Sequence, residues 1–369
     1  MKILSIIKPY DKPINAVGAS WSGCLLNNEL INYDDIEELA IVTNLPDYSP
    51  IDNRIDIFEI EVNPRKANKE IIMKAIDIYR RYNYDIIHLH VGSVGIIKWI
   101  SELIPDDIKL VYTLHTSTIL GRSSVIYGDY GKSMNNKSNI RIVGPSNYMQ
   151  DIWHKFSHDN DEIANLSTVY NGIISNKREL ISSANRNGRM LMVGRITPVK
   201  RSLEALQIAR DYKIPFIYVG SSFDLKNHKP DTYFEMCKEI LETCDNIEWI
   251  PHLDNIEVLK LMSESTCLLS ISEQESFGLT AVEALSVGTP VIYSAGNAVE
   301  EILSYQDVGK KLEFVPRTTW HTRGRIVKEA FDNIIDKYNP NLLRDYYLSR
   351  YTLSNMAKGY LKIYKSLLD

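Results

Sequence analysis

Short apolar runs recur along the first half of the chain, each separated from the next by polar or helically periodic sequence. Lys2–Ile7, Leu39–Thr43, Ile55–Ile60, Ile86–His90, Leu110–His115 and Arg141–Gly144 read as strands. A Gly-containing loop over residues 15–23 leads into a helical pattern from Cys24 to Leu30. Residues 65–82 set Ile71, Ile72, Ala75, Ile76 and Tyr79 on one helical face. From Thr116 to Asn139 the chain is rich in Gly, Ser, Asn and Tyr and predicts a long loop, which in a compact domain is usually functional or mobile.

Residues 174–188 are polar and weakly patterned, and they predict the domain hinge. The alternation then restarts. Arg189–Val193, Phe216–Gly220, Ile247–Ile250 and Cys267–Ile271 read as strands; Ser202–Asp211, Pro230–Cys244 and Ile256–Ser263 read as helices. A short helical segment after Gly278 ends at Gly288, a natural helix stop, and Pro290 begins another apolar run. Repeated βα units predict mostly parallel sheets covered by helices. Two such series about one linker predict an α/β protein of two Rossmann-like lobes with a cleft between them. The lobes are residues 1–175 and 189–350. Residues 351–369, with an amphipathic helix over Ser354–Leu368, pack back toward the first lobe. A length of 369 residues, 44% hydrophobic, suits two such cores.

Charge and cysteine content narrow the function. Net charge is −5, with 17 Lys+Arg against 22 Asp+Glu in residues 1–175 and 25 of each in the remainder. Neither half is a polycation, so a dominant nucleic-acid affinity is not signalled. Cys24, Cys237, Cys244 and Cys267 form no CxxC pair and no zinc spacing, and they read as reduced thiols. The first apolar run is too short for a leader, and no run approaches a membrane span. A cytoplasmic protein is expected, with peripheral membrane contact open. Abundant Ile, Asn and Lys, with 22 Tyr against 8 Phe, fit an AT-rich bacterial or phage genome.

Four constellations carry candidate chemistry. Glu275-Ser276-Phe277-Gly278-Leu279-Thr280 and Glu283 place two carboxylates around a turn between strand and helix. Amides near Gly278, Leu279 and Thr280 lie at the helix N-terminus, where a phosphate is favoured. Carboxylates beside an anion site serve well as acceptors for sugar or ribose hydroxyls, although the same pair also reads as two solvated charges. Arg195 and Lys200 follow the strand ending at Gly194, where cations suit a diphosphate or a merely basic turn. His115 ends a first-lobe strand and reads as a hydrogen-bonding or proton-transfer group, or as a structural histidine. Gly18, in the first loop, belongs to no GxGxxG fingerprint but can offer amides to a ligand. His88 and His90 alternate on a buried strand and read as core or cleft-lining groups, not a metal pair.

In this order the segments resemble the retaining GT-B glycosyltransferases of glycosyltransferase family 4. Asp85-Ile86-Ile87-His88-Leu89-His90 resembles the family's D-V-V-H-x-H strand, and Thr113-Leu114-His115 its T-x-H strand end. Val169-Tyr170-Asn171-Gly172-Ile173 resembles the Asn-Gly segment that closes the first lobe. Val193-Gly194-Arg195 with Lys200 resembles G-R-x-x-x-x-K-G, and Glu275 with Glu283 the E-x7-E signature. Three departures stand out: Gly18-Ala19 for Gly-Gly, Arg201 for Gly after the lysine, and Ile174 for Asp.

The resemblance implies a hexosyl- or pentosyltransferase using a nucleotide-diphosphate sugar, a UDP-sugar foremost, with no metal and no other cofactor. It implies that Arg195 and Lys200 hold the diphosphate and Glu283 the ribose. Glu275 would contact the transferred sugar, amides near Gly278 and Leu279 would assist, and His115 would lie near donor sugar and acceptor. Phe277 and Thr280 belong to the same donor-binding turn. The acceptor is expected to be a surface glycan or lipid-linked precursor. One alternative is transfer to a hydroxymethylated base of phage DNA, with Arg122, Lys132, Lys137 and Arg141 contacting phosphates. Another is a nucleotide-sugar-binding module without transfer activity.

Overall fold

The computed structural model describes residues 1–7, 19–44, 52–63, 66–116, 120, 122–174, 186–221, 232–304, 308–313, 320–334 and 337–369. The chain divides into two compact units, Met1–Ile174 with Tyr351–Asp369, and Ser175–Arg350.

The first unit runs β1 (Lys2–Ile7), α1 (Ala19–Leu30), β2 (Glu38–Thr43), β3 (Asp56–Glu59), α2 (Ala67–Tyr82), β4 (Ile86–His90), α3 (Ile96–Leu103), β5 (Leu110–Thr113), α4 (Arg122–Asn135), β6 (Ile140–Gly144), α5 (Asn147–Ser157) and β7 (Leu166–Thr168). Its sheet is parallel in the order β3-β2-β1-β4-β5-β6-β7. Alternation along the strands separates two faces. Leu4 and Ile6, Ile87 and Leu89, and Leu110 and Tyr112 pack in one core with Ile71 and Ile72 of α2, Ile97 of α3 and Trp153 of α5. Ile3 and Ile7, Ile86 and Val111 pack in the other with Leu26 and Leu30 of α1.

The C-terminal helix, labelled α13 below (Leu353–Leu368), completes that second face. Thr352 caps it by accepting a hydrogen bond from the Asn355 amide at 3.1 Å. Met356, Tyr360, Tyr364 and Leu367, at helical spacing, go into the core. Each such buried side chain contributes about 1.5–3 kcal/mol, enough to tie the chain's end to its first strands.

The loop expected over residues 116–139 is instead largely the helix α4. Tyr127, Tyr130 and Met134 recur at helical spacing and pack into the first core. The glycines that suggested a loop let this helix approach α5: a Cβ at Gly128 would come within 2.7 Å of the Phe156 carbonyl oxygen, and one at Gly131 within 2.8 Å of the Phe156 ring.

The second unit runs β8 (Met190–Val193), α6 (Ser202–Asp211), β9 (Phe216–Val219), α7 (Thr232–Thr243), β10 (Ile247–Ile250), α8 (Asn255–Glu264), β11 (Cys267–Ser270), α9 (Leu279–Ser286), β12 (Val291–Ser294), α10 (Ala298–Leu303), β13 (Gly309–Leu312), α11 (Trp320–Ile334) and α12 (Pro340–Arg350). A single 3-10 turn, Pro198–Lys200, lies between β8 and α6. The parallel sheet is ordered β10-β9-β8-β11-β12-β13. Strand order therefore reverses between β1 and β4 in one unit and between β8 and β11 in the other. In open α/β sheets ligands bind beyond the carboxyl ends of the strands at such a reversal.

Candidate active site

In the second unit the loops after β8 and β11 flank the reversal, and they are joined. The Glu273 amide donates to the Val199 carbonyl at 2.7 Å. Lys200 Nζ donates to Glu275 Oε1 in an ion pair. The pair is partly open, with side-chain exposures of 25% and 14%. Such a pair contributes only about 0–1 kcal/mol to stability, so the fold does not depend on it. It places a cation beside the α9 N-terminus.

Each loop has its own anchor. Ser202 Oγ and the Tyr218 hydroxyl lie 2.8 Å apart, and the Thr197 amide donates to Ser202 Oγ at 3.2 Å. These bonds fix the segment bearing exposed Arg195 and half-buried Lys200. On the other loop, Ser294 Oγ and Asn297 Nδ2 both donate to the Ser272 carbonyl, at 3.0 and 2.9 Å. The Phe277 side chain is wholly buried, so it anchors the turn, and what it can offer a ligand is backbone.

Gly278 then starts α9 in the left-handed region, φ +93°. A Cβ there would sit 2.5 Å from Val299 Cγ2, so both backbone and space demand glycine. The helix's own bonds begin with the Ala281 amide donating to the Gly278 carbonyl at 3.0 Å. The N–H groups of Leu279 and Thr280 precede it, and both residues are half-buried. First-turn amides lack intrahelical partners and suit an anion.

Glu283 lies one turn further into α9 and is buried. Asn255 Nδ2, at the start of α8, donates to Glu283 Oε1 at 3.3 Å. Burial pushes the Glu283 carboxyl up to about 6, against the opposing pull of that hydrogen bond. Asn255 was not among the sequence candidates. It is 28 residues away, and no local pattern marks it.

In the first unit the carboxyl ends of β4 and β5 carry neutral polar groups. His90 Nδ1 and His115 Nε2 are 3.0 Å apart. Behind them His88 Nδ1 meets the Tyr364 hydroxyl at 2.6 Å, and His88 Nε2 meets Thr113 Oγ1 at 2.8 Å. Thr113 Oγ1 and the Tyr360 hydroxyl are 2.9 Å apart. The His88 and His90 rings stack with centroids 3.9 Å apart. Burial holds both imidazoles well below the usual range and pushes His115 down to about 4. All three are neutral at physiological pH. Tyr360 and Tyr364 escaped the sequence reading as polar partners, although their spacing of four already put them on one face of α13.

The remaining candidates separate. Gly18 lies outside the described residues. Lys137 Nζ donates to the Ile104 carbonyl at 3.1 Å, and Arg141 donates to the Ser138 and Ser366 carbonyls at 2.7 and 3.1 Å. Those two cations are committed to backbone oxygens. Among the described residues no group of three His, Cys, Asp or Glu side chains is placed to hold a metal, and no helix is long and apolar enough to cross a membrane.

Two family models match the chain. Residues 46–177 match the model described as Glycosyltransferase Family 4, and residues 175–318 the model described as Glycosyl transferases group 1. An uncharacterized glycosyltransferase of Methanocaldococcus jannaschii is 21% identical, covering 100% of this chain and 99% of its own. The N-acetyl-alpha-D-glucosaminyl L-malate synthase of Bacillus anthracis is 25% identical over 64% of this chain and 63% of its own. Among solved structures, sucrose-phosphate synthase of Thermosynechococcus elongatus superposes with a TM-score of 0.75 at 13% identity, covering 100% of this chain and 99% of its own. The Anabaena protein HepE, solved with UDP and glucose, gives 0.70 at 15% identity over 98% of each chain. At these identities the structural likeness speaks to the fold.

Proposed function

Because this chain belongs to the GT-B glycosyltransferases, with a family 4 segment followed by a group 1 segment, we propose that it transfers a sugar from a UDP-sugar to a hydroxyl of a glycan or lipid-linked acceptor, with retention at the anomeric carbon. The observation that carries this reading is the Lys200–Glu275 pair beside the α9 N-terminus, at the strand-order reversal of the second unit.

A diphosphate entering there meets two kinds of positive partner: Lys200 with Arg195, and the first amides of α9. Glu275, already paired with Lys200, is left to accept from hydroxyls of the transferred sugar. Glu283 accepts from the ribose, with Asn255 holding one carboxylate oxygen. In the transfer, the bond between the anomeric carbon and the β-phosphate oxygen breaks and UDP departs. The acceptor oxygen bonds to the same carbon on the same face, and its proton passes to the departing phosphate. Charge develops on the diphosphate, so preset cations and amides supply the main stabilisation. His115, neutral, contributes a hydrogen bond to sugar or acceptor and no charge.

The test is turnover of UDP-glucose and other UDP-sugars, followed by the anomeric configuration of the product. Slow donor hydrolysis that disappears in Glu275→Ala and Lys200→Ala supports transfer. Donor binding without turnover on any acceptor would instead make the protein a binding module, and an inverted product would overturn retention.

A further inference from the structure

The pairing of His90 with His115 has a definite direction, and it sets what His115 can do. Neutral imidazole carries one proton, so one nitrogen of each ring donates and the other accepts. His90 Nε2 is buried and has no hydrogen-bond partner among the described residues. A proton there would bury an unpaired N–H, which folded proteins avoid more strictly than an unpaired acceptor. The proton therefore belongs on His90 Nδ1, which donates to His115 Nε2 across 3.0 Å. His115 Nε2 is then an acceptor. His115 is itself neutral, held far below the usual imidazole range by burial, so its proton is on Nδ1.

The His90 ring has little freedom to do otherwise. It stacks on His88, which is held at both nitrogens by Tyr364 and Thr113. The helix α1 also presses close: a Cβ at Gly23 would stand 2.9 Å from His90 Cγ. We infer that His90 is a positioning residue that holds His115 as the Nδ1-protonated tautomer, so that His115 meets its ligand as a hydrogen-bond donor and not as a base. The inference rests on the reading above that His115 touches sugar or acceptor. It adds a direction to that contact: the partner is an oxygen lone pair, such as a sugar hydroxyl or phosphate oxygen.

The tautomer is measurable without any substrate. Nitrogen–proton correlation spectra of the wild-type histidine rings should show His115 with a pyrrole-type Nδ1 and a pyridine-type Nε2, and the reverse pattern would overturn the inference. In turnover assays His90→Phe keeps a ring but loses the bond. It should lower kcat by about 10-fold or more, as misoriented groups do, with the donor KM within about twofold. His90→Asn puts an amide nitrogen near the former Nδ1 and should recover most of kcat. Equal losses in the two variants would mean that packing alone matters, and would overturn the role. Full turnover in His115→Ala would sink the reading that His115 meets substrate, while the spectra would still report the pairing.

Discussion

At the carboxyl ends of β8 and β11 the polar groups are charged, partly exposed and carried on loops; at those of β4 and β5 they are neutral, buried on the strands and half-buried at His115 just beyond them. Water still reaches Lys200 and Glu275, and each can exchange its present partner for a ligand. His88 and Thr113 are locked into hydrogen bonds that reach α13 and cannot be exchanged without leaving a buried atom unpaired. The first arrangement suits binding a charged group that comes and goes. The second suits holding one side chain in one orientation. Stability and function should therefore respond in opposite ways to mutation in the two places.

The largest effect is expected at Lys200. Lys200→Ala should lower turnover by about 10²–10³-fold, the range for losing one stabiliser of developing negative charge. Its unfolding free energy should move by less than about 1 kcal/mol, since the pair is partly exposed. Kinetics and chemical denaturation of one preparation check both, and a large stability loss would erase the contrast. Gly278→Ala should instead damage the second unit's scaffold. A left-handed non-glycine costs about 1–2 kcal/mol and overpacking against Val299 a further 1–3 kcal/mol, so about 3 kcal/mol is expected by denaturation.

The first unit should show the reverse of Lys200. Tyr364→Phe removes the hydroxyl that meets His88 Nδ1 and leaves that buried nitrogen unpaired. A loss of about 1–3 kcal/mol follows, with turnover kept within a few-fold, because the His90–His115 bond remains. Severe loss of turnover at unchanged stability would place Tyr364 in the chemistry and break the comparison.

Glu283 is the exception that sharpens the rule, a buried acid in the charged site. Its carboxyl titrates near 6, against 4.5 when free. The folded state thus favours the protonated form. The resulting stability is fully present below about 4.5 and is lost as pH rises through about 6. That difference of about 1.5 units amounts to about 2 kcal/mol. Glu283→Gln should therefore match wild type at pH 4 and exceed it by about 2 kcal/mol at pH 8, while binding donor more weakly there. Denaturation curves at the two pH values decide it, and a constant difference would mean that burial does not govern this group.

Much of this was legible in the sequence, for physical reasons that also mark the limit. The strand run Ile86–His90 matches its observed bounds because all five residues are buried, and Ile247–Ile250, at a sheet edge with Glu248 exposed, matches because polar sequence brackets it. The helix α4 was missed because Gly128 and Gly131, there for close packing on α5, carry the same signal as a loop. Glu275 and Glu283 share one strand–turn–helix segment whose spacing is visible in the sequence, whereas Lys200 meets Glu275 from 75 residues away. Asn255, Tyr360 and Tyr364 act across 28 to 276 residues, and only tertiary packing joins them to the groups they serve.

Arg201 gives the smallest and cleanest test. The resemblance puts glycine at this position, and the structure supplies the reason: the residue joins the 3-10 turn to α6 with φ +54° and ψ +40°. The arginine pairs with Glu204 at 3.4 Å, but Glu204 also holds Arg323 at 2.6 Å, so removing Arg201 leaves no carboxylate stranded. Arg201→Gly alone mixes relief of strain with loss of that pair and a floppier unfolded chain. Arg201→Ala loses the pair equally and keeps the strain. The glycine variant should therefore be the more stable of the two by about 1 kcal/mol, because glycine is favoured over alanine both in the left-handed region and at a helix N-cap. Paired denaturation curves measure the difference. Alanine above glycine would mean that this residue is not left-handed, and that the turn carrying Lys200 is held differently.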